Sequence, residues 1–419
     1  MIRRMRDLVG GWARRGSGKG KGEVIRVSDS MEAVRRLLDL RYRSRPEDLP
    51  LALTEVAPLL DAVSVTVLLV DYEQLSLWPL HGTSGTLEPR SVDGTLAGAS
   101  FVTAQPTSEA ECLWLPLLHG AERLGVLEVC LHSEPDDLQR RDFRVIAALV
   151  AELIASRRFY GDAVERTRRR LPMQLAAEII WNQLPPLTFA ANNALVTAVL
   201  EPCYDVGGDA FDYAANGDTV HIALFDTVGH GISASALTTL TLNTYRNARR
   251  SGLDLQDTYR SIDKWIRAQY PGAFVTALLG ELDTGTGVYR RIAAGHPAEL
   301  HIRDGRAMPG LPTPTALPLG LGHMLPRPPG VTELLLEPGD TLMLYTDGIT
   351  EARSADGELF GTDRLLDFVV TALAEGSPAE TMRKLILAIV SYENGELRDD
   401  ATAALVQWQP SPVVTPSPW

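Results

Sequence analysis

The spacing of apolar residues divides the chain into a mixed first part, a charged connector and a strand-rich second part. From about Ser30 to Leu60, DSMEAVRRLLDL and its continuation place a capping residue before apolar positions at helical spacing, which predicts helix. VSVTVLLVD, LSLWPLHG, CLWLPLLHG and RLGVLEVCLH follow as short runs of strand character broken by Gly, Pro and charged turns. HGAERLG predicts a hairpin between the last two, and DDLQRRDFRVIAALVAELIASRRFY predicts a long amphipathic helix after them. That helix reads on through GDAVERTRRR, whose charges leave little to bury. A new helix is predicted to open at Pro172 in PMQLAAEIIWNQL and to stop at Leu184, because Pro185 disfavours helix at the residue before it and lacks an N–H donor. Leu171, Leu175 and Ile179 fall on one stripe of this connector, either a dimer seam or a face that packs on the next domain.

In the second part, VGGDAFDYAANGDTVHIALFDTVGHG carries the strongest local signal. Asn216-Gly217 between two strand-like runs predicts a type I′ hairpin, a turn that needs positive φ at both central residues. The register that follows sets Ala215 against Asp218, Tyr213 against Val220, Phe211 against Ile222 and Asp209 against Leu224. Alternation then gathers Phe211, Tyr213, Val220, Ile222 and Leu224 on one apolar face, with Asp209 and Asp226 as diagonal neighbours roughly 7 to 8 Å apart. Asp212 and His221 face each other on the opposite side, with Asp212 looking outward. Two carboxylates on an apolar face have to be protonated, paired with cations or bound to metal. The hairpin offers no Lys or Arg there, so metal leads.

Two further acidic positions flank strand-like runs. Asp347 closes one in PGDTLMLYTDGITEA, and Asp399-Asp400 opens another in LRDDATAALVQW. On alternation Asp399 shares a face with Ala401, Ala403 and Leu405, whereas Asp400 points with Thr402. Taken singly, each acid fits a turn or N-cap, and Asp347-Gly348 is an ordinary turn signal. Together, oxygen ligands without a Cys or His cluster suit Mg²⁺ or Mn²⁺ and not zinc. Four carboxylates at strand ends can hold two ions roughly 3.5 to 4 Å apart, which activates water for in-line attack on phosphorus.

Composition narrows the field. A chain of 419 residues exceeds the usual size of one hydrophobic core, so two domains are expected. Its formal net charge of -13 argues against nucleic acid as the main partner. Cys112, Cys130 and Cys203 stand apart without metal-ligand spacing, and buried thiols in a reducing cytoplasm are expected, not disulfides. No run is long enough for a membrane span, and the basic, Gly-rich start lacks the apolar core of a signal peptide. Residues 1–28 read as a disordered basic terminus, with a short membrane-surface helix over Met1 to Arg15 as the rival, and the location expected is cytoplasmic.

DGTLAGASF, LWLPLLHGAERLGVLEV and DFRVIAALVAELIA resemble a GAF domain, a small α/β sensor fold, over residues 29–158. The signature residues of its cyclic-nucleotide-binding members are absent, and the cysteines lack the context of an attached bilin. An apolar core without a ligand, or one that supports dimerisation, is the plainer alternative to a small-molecule or protein signal.

VGGDAFDY, FDTVGHGISASAL, AAGHPAELHIRDG, LPLGLG, EPGDTLMLYTDGITEARSADGELFG and DDATAALV occur in this order across residues 187–409. The series resembles the bacterial, SpoIIE/RsbU branch of the metal-dependent protein phosphatase family (PPM, or protein phosphatase 2C). AAEIIWNQLPP resembles the helix that precedes that domain. The resemblance implies an α+β protein: a C-terminal α-β-β-α sandwich phosphatase domain, a helical linker over 159–186, the GAF-like domain before it and a Pro-rich tail over 410–419. It implies two Mn²⁺ or Mg²⁺ ions, with Asp226 bridging them, Asp209 and the Thr227 carbonyl completing one site, and Asp347 and Asp399 the other. A metal-activated water would attack phosphoserine or phosphothreonine directly.

The implied substrate is a phosphorylated STAS-domain anti-anti-sigma factor, with regulation through the GAF-like domain and a linker that would also serve a homodimer. In the eukaryotic branch Gly and then His follow the bridging Asp; here Thr227 follows and His230 comes four residues on. His230 is therefore a weak candidate general acid beside its reading as part of a tight helix entry. His296 reads as structural ahead of a pocket role, and Asp212 and Asp400 belong to the motifs without a clear ligand role. A catalytically silent phosphatase-like regulator and a hydrolase of small phosphate esters remain the alternatives.

Overall fold

The computed structural model describes residues 21–40, 45–80, 88–191 and 193–409, apart from Val206, 311–313, Thr315, Pro328 and Glu396. The reading of Met1 to Arg15 and the Pro-rich tail lie outside the described residues. The chain forms two compact units that divide between Arg168 and Arg169.

In the first unit, β1 (Ala62–Val70), β2 (Ser76–Pro79), β3 (Arg90–Ser91), β4 (Thr107–Glu109), β5 (Cys112–His119) and β6 (Glu122–Leu131) form one sheet in the order β3-β2-β1-β6-β5-β4. Helices α1 (Lys21–Leu40), α2 (Leu49–Val56) and α4 (Asp137–Arg157) bury one face, with Leu37, Leu53, Leu117, Leu127 and Val150 in the core. The shorter α3 (Leu96–Thr103) closes part of the other face through Phe101. Helix α1 opens at Lys21, inside the stretch whose composition reads as disordered. Asp136 and Gln139 form the capping box that starts α4. Cys112 and Cys130 are joined in a disulfide between β5 and β6, where isolated thiols were expected, because strand pairing brings their Cα atoms to 4.2 Å; Cys203 stays a buried thiol outside any disulfide.

The connector is not one continuous helix. After α4 the chain passes through a 3₁₀ turn at Arg158–Tyr160 and an extended Gly161, and only Ala163–Arg168 (α5) becomes helical again. The next helix, α6 (Leu175–Trp181), opens three residues later than its proline suggests, with Gln174 as its N-cap. Leu171 and Leu175 are exposed and Ile179 is partly buried.

The second unit is a four-layer α-β-β-α sandwich. One sheet takes β9 (Ala210–Asn216), β10 (Thr219–Thr227), β11 (Val275–Asp283), β12 (Val288–Ala294) and β15 (Thr332–Leu335) in the order β15-β12-β11-β10-β9. The other takes β7 (Thr188–Ala191), β8 (Ala194–Glu201), β13 (Leu300–Arg303), β14 (Arg306–Ala307), β16 (Thr341–Tyr345) and β17 (Ala401–Trp408), ordered β14-β13-β16-β17-β8-β7. Phe211, Ile222, Leu224, Leu342, Leu344, Ala404 and Val406 fill the space between the sheets. Helices α7 (Gly231–Arg250) and α8 (Leu255–Gln269) cover the first sheet. Helices α10 (Gly361–Glu375) and α11 (Pro378–Tyr392) cover the second, over Met343, Tyr345, Ala403 and Leu405.

The hairpin register differs from the predicted one. Asn216 pairs with Thr219, Ala215 with Val220, Tyr213 with Ile222 and Phe211 with Leu224, so the turn residues are Gly217 and Asp218. Positive φ occurs at Gly217, at 58°, and not at Asp218, whereas a type I′ turn needs both. The shift is by two residues, an even number, so every side chain keeps its predicted face. The changes are in partners: Asp212 lies opposite Ala223 and His221 opposite Ala214. The ladder ends at Ala210 with Phe225, and Asp209 and Asp226 are the residues just beyond it on the two chains.

Candidate active site

Asp209 immediately precedes β9 and Asp226 is the penultimate residue of β10, at one end of the first sheet. Asp347 follows β16 as the first residue of a short helix, α9 (Asp347–Thr350), and Asp399-Asp400 precedes β17, both at the end of the second sheet. Asp400 and Thr346 tie these two ends together through bonds to the Gly207–Asp209 segment, and within each end the backbone packs closely. The Thr227 carbonyl lies 2.5 Å from where a Cβ on Gly208 would sit, and the Asp400 carbonyl 2.0 Å from where one on Gly348 would sit. Only glycine admits backbone that near, which is why the acids carry glycine neighbours.

The carboxylates differ in exposure. Asp209 is buried, with Oδ2 accepting from the Thr346 hydroxyl at 2.8 Å. Asp226 is partly buried and accepts from the Thr276 hydroxyl across the β10–β11 pair at 3.2 Å. Asp347 and Asp399 are exposed at the rim. Burial, and then the Asp400 and Asp226 carboxylates, push Asp209 well above the ordinary carboxyl range. Burial and the Asp347 charge push Asp226 up to about 6, and burial followed by Asp347 and Glu393 also raises Asp399. Among the described residues no Lys or Arg forms an ion pair with any of these groups.

Asp226 thus feels Asp347, Asp399 and Asp400, and Asp209 feels Asp226 and Asp400. Among the described residues no three such side chains converge tightly enough to hold an ion outright. The donor set itself fits hard divalent cations: oxygen ligands only, and a concentration of negative charge without a protein counter-ion.

Asp400, left open between ligand and motif residue, is a hydrogen-bond acceptor for the neighbouring loop. Its carboxylate takes the N–H groups of Gly207 at 2.8 Å, Gly208 at 2.6 Å and Asp209 at 3.0 Å. Asp212 does not look outward: it is buried against α7, where Arg246 and Arg249 pair with it at 2.7 and 2.8 Å. No local pattern signals this, because the arginines lie more than thirty residues downstream on the helix that covers that face. Thr238 and Glu393 were also missed. Thr238 donates to the Gly208 carbonyl at 2.7 Å and bonds the Thr227 hydroxyl at 2.8 Å. Glu393 accepts from the N–H groups of Arg353 at 2.7 Å and Arg398 at 2.9 Å, tying down the loop that carries Asp399.

His230 is the exposed N-cap of α7 and makes no side-chain cap bond. His296 is buried, and its Nδ1 donates to the Pro297 carbonyl at 2.9 Å. Burial lowers the His296 imidazole to about 4, so it stays neutral at physiological pH and is no general acid there.

Residues 216–409 match the family model described as stage II sporulation protein E (SpoIIE). The C-terminal unit is a SpoIIE-type PP2C phosphatase domain. The matched span takes in Asp226, Asp347, Asp399 and Asp400, while Asp209 lies outside it. The chain is 21% identical over 292 residues to phosphoserine phosphatase RsbU of Bacillus subtilis (strain 168), covering 67% of this chain and 83% of RsbU. It is similar to the solved RsbU and RsbW domains of Rv1364c from Mycobacterium tuberculosis at 25% identity and a TM-score of 0.46, over 52% of this chain and 62% of that one. The SiaA-PP2C domain of Pseudomonas aeruginosa is 21% identical with a TM-score of 0.47, over 61% of this chain and all of that domain. Phosphatases of the PP2C type are metal-dependent. No helix among the described residues is long and apolar enough to cross a membrane.

Proposed function

We propose that this phosphatase domain removes phosphate from phosphoserine or phosphothreonine on a regulatory protein of the STAS-domain, anti-anti-sigma class. The observation that carries the reading is the placement of Asp209 and Asp226 at the end of one sheet and Asp347 and Asp399 at the end of the other, with the two ends tied by Asp400 and Thr346. Asp209, Asp226, the Thr227 carbonyl, Asp347 and Asp399 would hold two Mn²⁺ or Mg²⁺ ions. When bound, such ions supply an activated water and stabilise the charge on the transferring phosphoryl oxygens. The protein's contribution is placement. Thr346 orients Asp209 from the second sheet and Thr276 orients Asp226 from the first. The exposed rim acids Asp347 and Asp399 leave the centre open to a phosphate carried on a protein surface.

The first unit acts as a GAF-like sensor in this reading, with the connector carrying its state to the phosphatase. Support comes from the way the end of α6 is fastened to α7. The Gln183 carbonyl accepts from Arg246 at 2.6 Å, and its side chain bonds Asn243 at 2.9 Å and Thr239 at 3.1 Å. Thr238, which precedes Thr239 on α7, is the residue that grips Gly208 and Thr227. A displacement of the connector therefore has a route to the carboxylates, and the exposed Leu171 and Leu175 supply an apolar stripe for a second copy of the chain.

The test is phosphate release by the full chain with Mn²⁺ from a phosphoserine-bearing STAS-domain protein. Turnover is expected, with Asp226→Asn abolishing it. Turnover of p-nitrophenyl phosphate alone would turn the assignment to a small-ester hydrolase. Bound Mn²⁺ without turnover of either substrate would make the protein a silent regulator.

A further inference from the structure

The sequence pattern leaves the adjacent acids Asp399 and Asp400 with undivided roles, and the structure divides them. Asp399 is exposed, and the bond its carboxylate accepts is from the N–H of Asp400 itself, at 2.9 Å. Asp400 is buried, and its acceptor capacity is spent on protein: Oδ2 receives Gly207, Gly208 and Asp209, and Oδ1 shares Gly207. Three successive N–H groups pointing at one carboxylate form a charge-assisted cradle, with bonds stronger than those between neutral partners. Left unmade, those buried donors would each cost free energy comparable to a lost hydrogen bond.

The cradle crosses the sandwich. Asp400 enters β17 of one sheet, while Gly207, Gly208 and Asp209 lead into β9 of the other. Two more bonds act on the same loop: Thr238 holds the Gly208 carbonyl and Thr346 holds the Asp209 carboxylate. The direction of the Asp209 side chain, and the approach of Gly208 to the Thr227 carbonyl, depend on this backbone staying where it is.

We propose that Asp400 is the positioning residue of the metal centre: it fixes the backbone from Gly207 to Asp209, and through it Asp209, before any cation arrives, and is not itself a ligand. The proposal rests on the reading of the carboxylate cluster as a metal site. Partners that orient ligands commonly contribute 10- to 100-fold to metal affinity, roughly the scale expected here.

The experiment is a calorimetric Mn²⁺ titration of the full chain and of Asp400→Ala, Asp400→Asn and Asp212→Asn, each checked for folding by circular dichroism. Asp400→Ala should weaken Mn²⁺ binding by about tenfold or more. Asp400→Asn should recover part of the loss, since one carbonyl oxygen can still take the Gly208 and Asp209 N–H groups. Asp212→Asn, which perturbs another buried carboxylate near the same strand, should bind Mn²⁺ as the unaltered chain does while melting at a lower temperature. Unchanged binding in Asp400→Ala would overturn the proposal. So would equal losses in the two Asp400 variants, which would make charge alone responsible, or an equal loss in Asp212→Asn, which would mean general loosening. Absence of Mn²⁺ binding by the unaltered chain would instead refute the metal reading itself, and the proposal with it.

Discussion

Asp212 and Arg246 meet at 2.7 Å across the first sheet and its covering helix, with Arg249 completing the group from the other side at 2.8 Å. The Asp212 side chain is 2% exposed and the Arg249 side chain 7%, so the charges sit largely out of water. Removing the carboxylate leaves two guanidinium groups without their counter-charge. Asp212→Ala should destabilise the phosphatase domain by about 3 to 5 kcal/mol, measured by urea unfolding. A loss under about 1 kcal/mol would mean that solvent reaches the arginines.

The observed turn makes a prediction opposite to that of the sequence pattern. Gly217 holds φ at 58°, and a side chain there is strained by about 1 to 2 kcal/mol. Gly217→Ala should cost that much in thermal unfolding. Asn216 is an exposed strand residue, and Asn216→Ala should stay within about 0.5 kcal/mol. Comparable losses at both positions would restore the predicted turn.

Gly348 has no room for a methyl group, since the Asp400 carbonyl would lie 2.0 Å from it. Gly348→Ala has to push α9 away from the start of β17. It should lower stability by about 1 to 3 kcal/mol, as overpacking does. Unchanged melting would show that the two backbones separate without penalty.

Asp340 gives the domain an acid-sensitive anchor at the start of β16, the end opposite to Asp347. Burial works against its charge, but the Arg303 guanidinium, the Glu337 N–H and His301 outweigh burial and hold the carboxyl below its usual range. With the folded value depressed, the contribution to stability is complete above the unfolded value near 4 and is lost as pH falls through the folded one. Between about pH 5 and pH 2 the unaltered chain should therefore lose more stability than Asp340→Asn. Parallel pH profiles for the two would remove Asp340 from the account.

Alkylation of the unfolded chain without reductant should label Cys203 alone, and all three cysteines after reduction. Labelling of Cys112 in the unreduced chain would contradict the cross-strand bridge.

Much of the site was legible in the chain. Period-two alternation assigned Asp209 and Asp226 to one face, and the assignment survived a register error because the error was even. The turn itself was misread: Asn-Gly is a strong local signal, yet the pairing of β10 with β11 on its other side also fixes where that strand lies. The long helix was read on through GDAVERTRRR because its charged residues are good helix formers, which outvoted the single Gly161 that the structure holds extended. Thr238, Glu393 and the arginines around Asp212 carry no local signature, since each acts on residues far away along the chain.

Pattern along the chain was enough to place β9, β10, β16 and β17 and the acids at their ends. These follow from periodicities of two and 3.6 and from the cost of placing charge on an apolar face. How those acids divide their work depends on packing. Asp400 and the Gly207–Asp209 backbone are separated by 191 to 193 residues, and a hydrogen bond over that distance exists only once both sheets have packed. Packing turns one of two adjacent aspartates inward to hold the backbone and leaves the other at the rim, facing solvent.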